Sequence, residues 1–304
     1  MPQPLPVGES IPYERVWVGN SKIKAIIALT HPTAVVIFSL ITWILAGLTA
    51  SRFPSLALSI PLVLAMAVAQ ASVGVFNEVF DWRLDKVTKP WRAIPAGANR
   101  PWQAAAIASI LLCLGLLLAA SISLLTGLLL LLGAGMGVLY SAKLKRNVFS
   151  WLPYVVNYPS FPVWVLVALD RFDPRVLIIY PLASLFAVAV HLCNQLRDFD
   201  ADQALGLKGL VQHLGKRRSI AWCAGLLVLS PLPFLIVSGL PRRPAVFAVL
   251  LATGLLHWLL TVPLLLKPPE LLGPGTFRTL FRRLQVSGPL MLVAWYWAFL
   301  QAEF

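Results

Sequence analysis

Charge is what this chain has least of. Only 12% of its 304 residues are Asp, Glu, Lys or Arg, against 59% hydrophobic, and the mean hydropathy is +0.80. A soluble domain carries about 25% charged residues, so that class is excluded. Cysteine is also scarce. Cys113, Cys193 and Cys223 all fall in apolar runs, in odd number and without ligand spacing, which excludes a disulfide framework or a cysteine metal site. Alternation of polar and apolar residues is missing from the apolar runs, so a membrane β-barrel is excluded too. The first residues, MPQPLPVGESIPYERVWVGNSKIK, are polar and rich in proline, with no apolar core of a cleavable leader.

What remains is an abundance of long apolar stretches, each near the roughly 20 residues a bilayer span requires. Nine are expected, over 25–50, 54–80, 102–121, 124–142, 150–169, 175–197, 219–239, 244–266 and 286–302. The fold class is therefore all-α, a polytopic bundle. A polar segment (1–24) precedes one transmembrane domain (25–304). Twenty of the 25 Lys and Arg residues fall in the N-terminal tail and the alternate loops on its side of the membrane. Arg52, Arg171, Arg175, Arg242 and Arg243 are the other five. That asymmetry puts the N-terminus and the two longest loops, 81–101 and 198–218, in the cytoplasm. It also explains the net charge of +13 without invoking nucleic acid.

The chain has twelve acidic residues, and six of them occupy two short windows. One reads NEVFDWRLD, with Asn77, Glu78, Asp81 and Asp85; the other reads NQLRDFDAD, with Asn194, Asp198, Asp200 and Asp202. In both, Asn is followed by Asp four and eight residues later, and all three positions are 117 residues apart, which marks an internal duplication. The windows close the second and sixth segments, so both face the cytoplasmic side. Residues four apart lie on one helix face. Each window thus predicts a ladder of one amide and two carboxylates, with four carboxylates in all. Such oxygen ligands suit Mg2+, which binds through a few carboxylates together with substrate phosphates. The candidate metal ligands are Asn77, Asp81, Asp85, Asp198 and Asp202, around two Mg2+ ions.

Cations flank the same windows: Lys89 and Arg92 in KPWRAIPAG, Arg197 in the second window, and Lys143, Lys145 and Arg146 after the fourth segment. With Asn77 and Asn194 they form a candidate clamp for a diphosphate. An anionic head with a hydrocarbon tail fits such a clamp above apolar helices. Two other readings of the carboxylates stay open, a CDP-alcohol phosphotransferase-like enzyme and a cation transporter. The Asp-Gly and Ala-Arg elements of the first are missing. The second would place its ligands near the bilayer midplane.

On these residues the chain resembles the UbiA superfamily of intramembrane prenyltransferases. The first motif is matched by Asn77, Asp81 and Asp85, and the Pro-x-Arg-x-Ile-x-x-Gly stretch after it by Pro90, Arg92, Ile94 and Gly97. The second is matched by Asp198, Asp202 and Gly206, and the end of the fourth segment by Tyr140, Ser141 and Lys145 or Arg146. The resemblance implies nine transmembrane helices and transfer of a prenyl group from a prenyl diphosphate to a hydrophobic or aromatic acceptor within the bilayer. An aromatic acid, a tetrapyrrole and a glycerophosphate lipid are all open as acceptors. It casts Asp81, Asp198 and Asp202 as catalytic, with Tyr140 as an aromatic face for the allylic cation. His191, one turn before Asn194, is read as satisfying a local hydrogen bond. Gly133, Gly135 and Gly137 are read as a helix-packing face.

Overall fold

The fold was obtained as a computed structural model, which describes residues 22–50, 54–237, 244–266 and 271–301. Most of the polar 1–24 segment lies outside them, as do Arg52, Arg242, Arg243 and Lys267. The described residues are mostly helical and include no strand. The main helices are α1 (Lys22–Leu29), α2 (Pro32–Thr49), α3 (Leu56–Thr88), α4 (Pro101–Ile122), α5 (Leu124–Ala142), α6 (Leu152–Ala168) and α7 (Ile179–Arg197). Two short helices, α8 (Phe199–Ala204) and α9 (Leu210–Leu214), then lead to α10 (Lys216–Leu229), α11 (Leu232–Val237), α12 (Pro244–Leu265) and α13 (Pro274–Leu300).

Each of the nine expected segments contains a helix. Seven stretches among the described residues are long and apolar enough to cross a membrane: 32–49, 56–88, 101–122, 124–142, 174–197, 216–236 and 244–265. Of the other two segments, α6 is only 17 residues long, and α13 carries Arg278, Arg282 and Arg283 in its first half. Large apolar side chains such as Leu124, Ile236, Leu259 and Leu266 stand exposed along these helices. In water so much exposed apolar surface would aggregate; in lipid it is solvated. The chain is an integral, multi-pass membrane protein.

The first segment is not one helix. It breaks at His31, whose φ of 53° lies in the left-handed region, just before Pro32. Proline disfavours helical backbone at the residue before it, and α2 starts afresh with Pro32 at its first position, where no backbone N–H is needed.

The chain divides into two compact units, one of residues up to Leu40 with Ile60–Ala142, the other of Ile41–Ser59 with the residues from Lys143 on. In the first, Ala25, Leu29, Val75, Ala93, Ile94, Ala104 and Ala108 form an apolar core. In the second, the core runs from Phe186 through Leu196 and Phe199 to Val211, Cys223, Phe277 and Leu284. Helix contact in lipid relies on close packing at small residues. At Gly137 on α5 an added Cβ would sit 2.7 Å from Val73 Cγ1 on α3, so only glycine admits this approach. Gly137 therefore packs as the sequence suggested.

Candidate functional site

The first window lies entirely within α3, so the predicted ladder forms. Glu78, Asp81 and Asp85 are all buried, at 4%, 2% and 2% exposure. A buried carboxylate is costly without a partner, and Arg92 supplies one. Its Nη1 lies 2.8 Å from Glu78 Oε1 and 2.9 Å from Asp85 Oδ2. Glu78 Oε1 is also 3.0 Å from His31 Nε2. Burial works against the charge on Arg92, yet Glu78, Asp85 and Asp81 hold its guanidinium more firmly protonated than usual.

The backbone after α3 explains the Pro-x-Arg-x-Ile-x-x-Gly stretch. Ile94 is buried in the apolar core, and Gly97 adopts φ 80°. Gly97 N–H donates to Ile94 O, and Ala98 N–H donates to Ala93 O at 2.9 Å, the double closure of a Schellman turn. Ile94 anchors the loop and Gly97 turns it, which leaves Arg92 over the carboxylates. Lys89 is half-buried nearby and adds to the field on Glu78 and Asp85.

The second window departs from the predicted ladder. Helix α7 ends at Arg197, Asp198 sits at a break with φ −106° and ψ 7°, and Asp202 lies on α8. The ladder is thus bent at its middle rung. The bend turns Phe199 into the apolar core beside Leu196 and Val211. Gly206, at φ 70°, closes α8 with the same pair of bonds, Gly206 N–H to Gln203 O and Leu207 N–H to Asp202 O. The chain can then return to α7, where Val211 N–H donates to Gln195 Oε1 and Gln195 Nε2 donates to Lys145 O. Arg197 Nη2 is 3.2 Å from Asp198 Oδ2, and Asp200 pairs with Lys216 at 3.0 Å. Asp200 thus behaves as a solvated ion pair.

The motif asparagines are held alike. Asn77 Nδ2 donates to Ser141 Oγ, and Asn194 Nδ2 donates to Tyr154 Oη, both at 3.1 Å. Tyr140 is half-buried near the end of α5; Lys143 and Arg146 are exposed and Lys145 half-buried around a short 3-10 turn. His191 is fully buried, with Nε2 3.0 Å from Ser150 Oγ, the local bond expected of it. Among the described residues, no three His, Cys, Asp or Glu side chains converge into a ready-made metal group. Sequence reading missed the role of Glu78 as the bridge between His31 and Arg92, and missed Tyr154. Glu78 carried a signal, a third carboxylate inside the first window. Tyr154 carried none.

Residues 35–269 match the UbiA prenyltransferase family. The digeranylgeranylglyceryl phosphate synthase of Saccharolobus solfataricus is 27% identical over 187 residues, 58% of this chain and 65% of that protein. The chloroplastic chlorophyll synthase of Arabidopsis thaliana is 28% identical over 182 residues, 54% of this chain and 46% of that protein. The matched region thus spans 46–65% of the length of these relatives. A UbiA homologue from Archaeoglobus fulgidus bound to GPP and Mg2+ superposes with a TM-score of 0.69 at 17% identity, over 90% of this chain and 98% of that one. The match over residues 35–269 shows that the chain belongs to the UbiA prenyltransferase family.

Proposed function

We propose that the protein transfers a prenyl group from a prenyl diphosphate to an acceptor within the membrane, with Mg2+ held by the two windows on the cytoplasmic side. The observation that carries this reading is the buried charge of the first window. Three carboxylates lie within one turn or two of α3, and one guanidinium is shared by two of them. Amide and carboxylate oxygens are a donor set that suits a hard divalent cation. Asn77, Asp81 and Asp85 would serve from one window and Asp198 and Asp202 from the other, around two ions and one diphosphate; Asn194, assigned by the sequence to the diphosphate clamp, occupies the position that matches Asn77 and would join them. When bound, Mg2+ neutralises charge that develops on the leaving diphosphate.

The protein's own residues have separate tasks. Lys89, Arg92, Arg197, Lys143, Lys145 and Arg146 grip the diphosphate oxygens by charge-assisted hydrogen bonds. Tyr140 offers a π face to the allylic cation. Asp198 or Asp202 accepts the proton that the acceptor releases. The apolar helices exclude water, which would otherwise capture the cation. Digeranylgeranylglyceryl phosphate synthase and chlorophyll synthase relatives support a polyprenyl donor and leave a glycerophosphate lipid and a tetrapyrrole as the first acceptors to try.

The test is purified protein with Mg2+, geranylgeranyl diphosphate and a panel of such acceptors, with products read by mass spectrometry. A prenylated product is expected from the wild type. None is expected from Asp81→Ala or Asp202→Ala, both of which should still insert in membranes. Full transfer by either variant overturns the shared-site reading.

A further inference from the structure

The two windows share more than their spacing. In each unit the motif asparagine gives its amide N–H to a hydroxyl on a neighbouring helix. For Asn77 the partner is Ser141 on α5, and for Asn194 it is Tyr154 on α6. The hydroxyls come from different residue types and from positions that the 117-residue offset does not relate. The same bond has been built twice by different means.

The first bond has a fixed direction. Ser141 Oγ has one proton and donates it to Gly137 O at 3.2 Å. Its oxygen can then only accept, so Asn77 must present its NH2 group to Ser141 and turn its carbonyl oxygen the other way. The close approach at Gly137 and Val73 makes this possible. One helical turn further along both helices, Ser141 meets Asn77. Ser141 is 3% exposed, so water does not compete for the bond. In the second unit the Tyr154 ring is held between His191, at 4.9 Å, and Tyr158, at 6.0 Å between ring centres. That packing fixes where its hydroxyl sits.

We infer that Ser141 and Tyr154 are positioning residues that orient the carbonyl oxygens of Asn77 and Asn194 as metal ligands. The inference rests on the two-window Mg2+ reading above. An amide free to rotate can turn its NH2 toward the site, and a hydrogen bond from outside the ligand shell disfavours that state and fixes the oxygen. Loss of such a partner typically costs about tenfold or more in metal affinity.

The experiment titrates Mg2+ against the detergent-solubilised full chain at fixed inorganic pyrophosphate and follows the thermal unfolding midpoint, with no prenyl transfer involved. Ser141→Ala and Tyr154→Phe should each raise the half-saturating Mg2+ concentration about tenfold. Ser141→Thr, which keeps the hydroxyl, should stay within about twofold of the wild type, and it serves as the folded control. In an Asn77→Ala background, Ser141→Ala should add nothing further. Unchanged titrations in Ser141→Ala and Tyr154→Phe, or a further loss in the Asn77→Ala background, would overturn the positioning role alone. A wild type whose midpoint ignores Mg2+ and pyrophosphate would overturn the metal reading as well.

Discussion

Arg92 is the residue on which the first window turns. The sequence assigns it to the diphosphate clamp, whereas the structure has it bridging Glu78 and Asp85. These roles would be compatible if Asp85 held the cation through its carboxylate while Arg92, still paired with Glu78, faced the phosphate. Removing one partner of a buried ion pair is far more damaging than the pair is stabilising. Arg92→Gln should therefore destabilise the metal-free protein by about 3 kcal/mol. Added Mg2+ should recover part of that loss, as thermal unfolding with and without EDTA would read. The sign for pH follows from the raised pKa of Arg92. A raised folded-state pKa stabilises below the unfolded value and is lost only above the folded one. Both lie above any pH the protein meets, so Arg92 contributes no pH dependence there. Neither the Arg92 bridge nor the His31 contact to Glu78 was legible in the sequence, since His31 and Glu78 are 47 residues apart and no local period links them.

At the scale of the element, the first window obeys the helix period and the second does not. Local spacing predicted both equally well. The difference is made by Phe199, whose burial in the apolar core bends the chain at Asp198, and by Gly206, which lets it return to α7. Gln195 holds that return through Val211 N–H and Lys145 O. Gln195→Ala should leave both backbone groups poorly satisfied and cost about 2 kcal/mol. Faster limited proteolysis within 143–151 and 205–211 would reveal it. Helix α5 offers a second test. Gly137→Ala brings a Cβ to 2.7 Å from Val73, and overpacking of this kind costs about 1–3 kcal/mol. Adding Val73→Ala should restore most of the lost thermal stability, whereas an unrelieved defect would mean the Gly137 contact is not the cause.

For the whole molecule, the question is orientation. The lopsided distribution of Lys and Arg predicts that the acidic windows face the cytoplasm. Arg146, Lys208 and Arg171 are all exposed. In a background without the three native cysteines, an impermeant thiol reagent applied from outside should label Arg171→Cys. It should spare Arg146→Cys and Lys208→Cys until the membrane is opened. The reverse pattern would place the windows outside. The amino-acid order alone determined that this is a helical membrane protein with two matched Asn/Asp windows, because lipid demands long apolar runs and a helix repeats at a spacing of four. Only the tertiary structure decided that Arg92 bridges Glu78 and Asp85, that the second ladder bends at Asp198, and that Ser141 and Tyr154 bond the asparagines. The asparagine bonds join residues 64 and 40 positions apart, and Arg92 and Asp198 lie beyond the ends of α3 and α7, so packing rather than local periodicity selects them.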